Sequence, residues 1–346
     1  MCQSQAEGGK RCAKGNRIVS NWPHIVDINE STHEITLTAE SFSSRPELAL
    51  HAAVLSARTG FPLSQETIDA ANKVASEFHK IPKKKIWEQW NYLLLAEKPS
   101  AGLDAIHKMG WENNFPELAA IRGVPQSPIW HPEGPVEIHT AQAADIAARR
   151  AKEEGIGEDE TRVAVMGAIC HDFGKAVCTQ IDDDGKISSS GHDDEGYPIS
   201  KSFLERIGAS KSVTQQVPLI VREHMCHANQ PTYKNTRKLI ARLDNNGKGT
   251  TLEAWARVAE ADRAGRGSAG DSGVSKKWLE LKNVVDTYKE TQFKRLVSGE
   301  TLRNNGCTDF DTFGAIIREA TKMQQNGVIK NEEEALQWLR KNNHIS

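Results

Sequence analysis

The sharpest chemical signal in the sequence is the run Cys170-His171-Asp172-Phe173-Gly174-Lys175, fed by an apolar segment carrying Val163, Val165, Met166 and Ile169. That segment has helical spacing, and Gly174 stands where a left-handed residue would end a helix. His171 and Asp172 then fall on the last turn, where neighbouring side chains can reach one ion from different angles. Alone, the dipeptide reads more economically as a core histidine followed by a solvated aspartate. Its company changes that reading. His139 opens an amphipathic helix upstream, and Asp262, in Glu260-Ala261-Asp262, lies near the end of a helix downstream. His192 sits in an acidic loop as Gly191-His192-Asp193, and His224 ends the helix containing Ile220 and Val221. Mixed imidazole and carboxylate donors suit a divalent transition ion such as Mn, Fe, Co, Ni or Zn, and the carboxylates also admit Mg.

A metal held by His139, His171, Asp172 and Asp262 suits phosphate-ester hydrolysis, because it polarises a phosphoryl oxygen and brings the pKa of bound water towards neutrality. Asp172 can orient that water, and Lys175, just past the ligands, can stabilise phosphate charge. His192 and His224 can hold a second ion, contact the phosphate or protonate the leaving group. His131 and Glu133 lie in the Pro-flanked stretch Trp130-His131-Pro132-Glu133; their expected role is to cap the helix that begins near His139. No pattern points to a serine or cysteine nucleophile, and no Gly-rich phosphate loop followed by Lys-Ser/Thr is present.

These residues need helices to position them, and the expected fold is all-α: a helical bundle with a small irregular or β segment at the N-terminus. Residues 1–45 read as irregular or weakly strand-forming, with Ile35-Thr36-Leu37-Thr38 the best strand candidate. Apolar spacing and helix-start signals predict helices over 46–58, from Ser64 onward, and over 84–96, 99–109, 139–154, 161–173, 198–207, 212–224, 234–244, 251–264, 274–293, 310–324 and 331–341. Three stretches interrupt this rhythm: the Pro-rich 123–134, the acidic 178–196 with a turn at Asp182-Asp183-Asp184-Gly185, and the small, polar 265–273.

The 346 residues carry a formal charge of -2, so no global basic field marks a nucleic-acid protein. The runs Lys83-Lys84-Lys85 and Lys234 to Arg242 are local and read first as solvated helix faces. No stretch approaches the ~18 apolar residues of a membrane span, and no signal-peptide core is visible. Six cysteines are too few for a disulfide scaffold and are expected to be thiols in a cytoplasmic protein. Cys2 and Cys12, flanking Gly8-Gly9-Lys10-Arg11, lack the second close pair that a zinc site would want.

The order His139, His171-Asp172, Asp262 resembles the HD phosphohydrolase superfamily, an all-helical fold in which such residues ligate metal. One branch is closer. Gly123-Val124-Pro125-Gln126, Trp130-His131-Pro132-Glu133, Ile138-His139-Thr140, Gly191-His192, Arg222-Glu223-His224 and Glu260-Ala261-Asp262 look like the body of bacterial CCA-adding tRNA nucleotidyltransferases that carry an HD domain. Ser41 to Leu48 with Ala57 to Phe61 resembles that family's neck, and Val297 to Leu302 with Glu332 to Leu339 resembles its tail. The resemblance implies an N-terminal segment 1–40, a neck-like domain 41–122, an HD domain 123–270 and a tail 271–346. It also implies a nucleotide or RNA 3′-end as substrate and tRNA as a possible partner.

Departures from the pattern qualify these expectations. About forty residues precede the neck-like stretch and hold no Gly-Ser turn with paired carboxylates, so CCA addition by this chain alone is not expected. Ala264 stands where the family has an arginine, and the spacing from His224 to His227 is one residue short, which leaves His227 outside the expected site. The leading expectation is a hydrolase of a phosphomonoester or 2′,3′-cyclic phosphodiester. The alternatives are a non-catalytic tRNA-binding protein or partner subunit of a split enzyme, and an HD hydrolase of deoxynucleoside triphosphates or signalling nucleotides.

Overall fold

Polar residues placed just ahead of apolar, helically spaced segments start several of the helices. In the computed structural model, which describes residues 26–29, 31–37, 39–267, 273, 275–291 and 294–345, Ser64, Ser210, Thr232 and Thr251 each accept the backbone N–H three residues on and start a helix. Such caps are worth about 1 kcal/mol apiece. Cys2 and Cys12 lie outside the described residues.

Two short antiparallel strands come first, β1 (Val26–Asn29) and β2 (Glu34–Leu37). Ile35 and Leu37 share the buried face of β2 at period two. A first helical group follows: α1 (Ala39–Ser44), α2 (Leu48–Thr59), α3 (Gln65–Lys73), α4 (Lys83–Leu94), α5 (Pro99–Lys108) and α6 (Pro116–Ala120). A second comprises α7 (Val136–Glu154), α8 (Glu158–Cys170) and the single turn α9 (Lys175–Cys178). The tiny hairpin β3 (Gln180–Ile181) and β4 (Ile187–Ser188) leads into α10 (His192–Arg206), α11 (Lys211–Glu223), α12 (Tyr233–Asp244) and α13 (Leu252–Ala264). The described chain ends with α14 (Lys276–Thr291), α15 (Gly299–Asn304), α16 (Phe313–Gln325) and α17 (Glu332–Lys341). The protein is predominantly helical, as the sequence predicts, and among the described residues no helix is long and apolar enough to cross a membrane.

One apolar core runs from Ile35 to Trp278, and a smaller one joins Val297, Leu302, Ile316, Leu339 and their neighbours. Edge-to-face rings tie the first helical group to the turn that carries His171 and Asp172: Trp90 meets Phe115 at 5.5 Å and Phe203 at 5.4 Å, and Phe203 meets Phe173, the neighbour of Asp172, at 5.4 Å. Such pairs add ~0.5–1.5 kcal/mol beyond their burial. Gly167 lets α8 and α13 touch, since a Cβ there would stand 2.6 Å from Val258 Cγ2.

Two expectations are corrected. Gly174 is right-handed (φ -65°, ψ -20°). Its lack of a side chain serves a close approach instead, because a Cβ would fall 1.9 Å from the carbonyl oxygen of His192. His192 is not in a loop. It is the first residue of α10, which starts after a left-handed Gly191 (φ 79°) and carries Pro198 inside it. The sequence reading began this helix at Pro198 because proline favours first turns; the earlier turn lies close against α11, where a Cβ on Gly196 would stand 2.8 Å from Val221 Cγ1. The basic runs are exposed helix faces, as expected: Lys84, Lys234, Arg237 and Lys238 face solvent, while Lys83 donates to the Glu205 carbonyl at 3.0 Å, and Lys85 and Arg242 pair with Glu47 at 2.7 Å and Glu223 at 2.8 Å.

Candidate metal centre

Four of the sequence-predicted side chains converge where α7, α13 and the turn after α8 meet, each at most 2% exposed. His139 Nε2 lies 3.2 Å from His171 Nε2, 3.2 Å from Asp262 Oδ1 and 3.9 Å from Asp172 Oδ2. His171 Nε2 lies 3.2 Å from Asp172 Oδ2 and 3.9 Å from Asp262 Oδ1. Ligand bonds of about 2.1 Å place neighbouring donors ~3.0–3.4 Å apart, so this spacing fits a shared cation. Asp172 Oδ1 and Asp262 Oδ2 are buried and have no hydrogen-bond partner among the described residues. Orphaned carboxylate oxygens of this kind are expensive unless a cation meets them.

Asp172 faces two ways. Its second oxygen, Oδ1, is 3.3 Å from His192 Nε2 and 3.8 Å from His224 Nε2, and those two nitrogens are 3.1 Å apart. His192, His224 and Asp172 thus form a second donor set joined to the first through one carboxylate.

Local backbone geometry aims the imidazoles. His171, His192, His224 and His227 each direct Nδ1 at the carbonyl oxygen three residues back, at 2.8, 2.7, 2.6 and 2.6 Å. A carbonyl only accepts, so Nδ1 bears a proton, and Nε2 is the nitrogen left facing inward to meet a cation. His139, inside α7, gets its orientation from elsewhere. Glu133 Oε1 stands 2.7 Å from His139 Nδ1 and 2.8 Å from His131 Nδ1. No side chain caps α7, so the expected capping role of His131 and Glu133 is replaced by a carboxylate buttress on a histidine donor.

Charge follows this geometry. Burial opposes ionisation of Asp172, yet the positive charge that His171 and Lys175 place beside it holds its carboxyl well below the usual range. Asp262 is likewise lowered against burial, by its hydrogen bond with His139 and by the charges of His171, Arg266 and His227. Burial works against a charged His139, but Asp262 and Glu133 push it up to about 9. His224 is pushed well below its ordinary value by burial and by the charges of His192 and His171.

The site opens into a cleft of about 780 Å³. Lys175, Arg263 and Arg266 line it. Lys175 Nζ donates to Asp172 Oδ2 and to Gln126 Oε1, both at 2.7 Å, and Arg266 pairs with Asp262 at 3.0 Å. His227, which sequence spacing left out, also lines the cleft with Nε2 at 3.7 Å from Asp262 Oδ2. Its place is set by the short 3-10 turn after α11, which spacing within a presumed α-helix does not anticipate. Glu260, by contrast, faces away from the metal donors. It accepts from Gly273 N, Ser275 N and Ser275 Oγ, each at 2.7 Å, and from Arg150 at 3.1 Å, anchoring the approach to α14.

The sequence is similar to known proteins over much of its length. The HD-domain family model matches residues 136–259, and the model for the probable RNA- and SrmB-binding site of polymerase A matches residues 60–122. The chain therefore contains an HD domain joined to a segment of that second kind. It is homologous to multifunctional CCA proteins. The similarity is 26% identity over 73% of this chain and 60% of the Halorhodospira halophila protein. It is 27% over 65% of this chain and 55% of the Xanthomonas oryzae pv. oryzae protein, and 28% over 65% and 54% for Xylella fastidiosa. The chain thus spans somewhat over half the length of these relatives. A solved CCA-adding enzyme in complex with CTP overlaps 90% of this chain and 64% of its own, at 12% identity and a TM-score of 0.44.

Proposed function

We propose that the protein is a divalent-metal-dependent phosphohydrolase acting on a phosphomonoester or a 2′,3′-cyclic phosphodiester of a nucleotide or RNA end. The observation that carries this reading is Asp172, whose two oxygens face His139 and His171 on one side and His192 and His224 on the other. His139, His171, Asp172 and Asp262 would hold one ion, and Asp172, His192 and His224 a second. Mn, Fe, Co, Ni, Zn and Mg are all compatible with these donors. When bound, such ions polarise a phosphoryl oxygen and acidify water.

The remaining work falls to the protein's own groups. Lys175, Arg263 and Arg266 draw the phosphate into the cleft, and Asp172 and Asp262 accept hydrogen bonds from water beside it. Lys175, held by Gln126, offers its ammonium to developing charge. A neutral, fully buried His224 with its proton committed to Val221 suits ligation better than proton donation. The homology to CCA proteins supplies the nucleotide or RNA-end class, and the boundaries 41–122, 123–270 and 271–346 are proposed with it.

The test is hydrolysis of 2′,3′-cAMP, 2′-AMP and p-nitrophenyl phosphate with each added metal, against His171→Ala. Folded protein that retains metal and cleaves none of the three would show the substrate class to be wrong. The RNA-binding family match over residues 60–122 favours a second reading, an RNA grip through that segment. tRNA affinity that falls steeply with salt and survives His171→Ala supports it.

A further inference from the structure

Trp130 stands apart from the site so far described. It is 62% exposed, while Trp90, Trp111, Trp255 and Trp278 are fully buried. A single exposed apolar side chain needs no explanation, but this one lines the same cleft as the metal donors and the cationic groups. Ile187 and Met225 add apolar surface to the cleft wall. Phosphate-binding charge and a flat aromatic face therefore share one cavity, whose volume falls in the usual range for small-molecule sites, roughly 300–1,000 Å³.

The loop that carries Trp130 is fixed in place. Backbone N–H groups of Trp130 and His131 both donate to the Ser127 carbonyl, at 3.1 and 2.8 Å, and Gly134 N donates to the His131 carbonyl at 3.2 Å. Gln126 Nε2 clips the loop by donating to the Gly134 carbonyl at 3.1 Å. Pro128, Pro132 and Pro135 restrict it further. The same loop sends Glu133 inward to His139 and Gln126 inward to Lys175. The indole is thus tied to the metal donors by a short, stiff connection, so little ordering remains to be done when a ligand arrives.

We propose that Trp130 is a stacking platform for the base of a nucleoside phosphate whose phosphate group sits against Lys175, Arg263 and Arg266. The proposal rests on the phosphohydrolase reading for the location of the phosphate, and it makes the base a recognised part of the ligand. Stacking tolerates any base, so preference among the four bases is weak while preference for a base over none is strong.

The test titrates the metal-loaded full chain with AMP, ribose 5-phosphate and inorganic phosphate, following intrinsic fluorescence and measuring phosphate release in parallel. AMP is expected to quench fluorescence and to bind roughly 5- to 150-fold more tightly than ribose 5-phosphate. Trp130→Ala should abolish that preference and leave ribose 5-phosphate binding unchanged, and Trp130→Phe should retain much of it. If Trp130→Ala keeps the wild-type ratio, stacking is overturned while phosphate binding stands, and the exposed indole belongs to a macromolecular contact instead. If the wild type binds neither ribose 5-phosphate nor inorganic phosphate, the phosphohydrolase reading fails and takes this proposal with it.

Discussion

Replacing Glu133 with Gln tests a carboxylate that orients a proposed metal donor, His139. Its Oε1 stands 2.7 Å from His139 Nδ1. Loss of such an outer partner costs ~10- to 100-fold in metal affinity, or ~1.4–2.7 kcal/mol. A second effect opposes it. Asp262 and Glu133 push His139 up to about 9 against the effect of burial, so at neutral pH a metal has to displace its proton. The sign is direct: below the raised pKa the imidazole is protonated, and wild-type affinity should rise ~10-fold per pH unit up to about 9. Two units below that point the proton costs ~100-fold, equivalent to ~2.7 kcal/mol. Glu133→Gln removes one of the contacts that raise the His139 pKa and leaves Asp262, so it relieves part of this competition. The affinity loss should therefore be largest near pH 9 and smaller near pH 7. Competition against a fluorescent chelator across that range measures it. Equal affinities for variant and wild type near pH 9, or a loss that deepens as pH falls, would refute the assignment of Glu133 as the orienting group.

Metal counting by mass spectrometry separates the two donor sets: Asp172→Ala should lose both ions, whereas Asp262→Ala and His192→Ala should each lose one. Gly174→Ala would push a methyl into the space of the His192 carbonyl, 1.9 Å from the ideal Cβ position. A destabilisation of ~1–3 kcal/mol is expected, read as a lower Tm and weaker metal retention by His192. Glu260→Gln leaves the donors from Ser275, Gly273 and Arg150 poorly matched and should cost ~1–3 kcal/mol in denaturant unfolding without changing the metal count. An unchanged unfolding midpoint would show that the anchor of α14 lies elsewhere.

Helices were readable where their signals are local: the apolar spacing of α7 and α8, and Ser64 and Thr251 ahead of α3 and α13. The gathering of His139, His171, Asp172 and Asp262 was anticipated from residue types and family resemblance, and the structure brings the four together. What escaped was set by packing between distant segments. Gly174 looks like a helix terminator in sequence, and only the overlying α10 shows why it must lack a side chain. Pro198 masked the start of α10, whose first turn lies close against Val221 of α11, a proximity that local spacing does not reveal. Glu133 looked like a helix cap because its real partner is the side chain of His139, a contact with no signature in spacing. His227 was set aside on spacing alone, whereas the turn that ends α11 is tighter than an α-helix and swings it into the cleft.

The inward aim of His171, His192, His224 and His227 relies on main-chain oxygens at helix ends, which no substitution can delete. His139 alone borrows its direction from a side chain on a separate loop. Anyone transplanting this centre into another helical scaffold could therefore let bare helix termini steer most of its imidazoles. A single imported carboxylate would then decide whether the graft assembles.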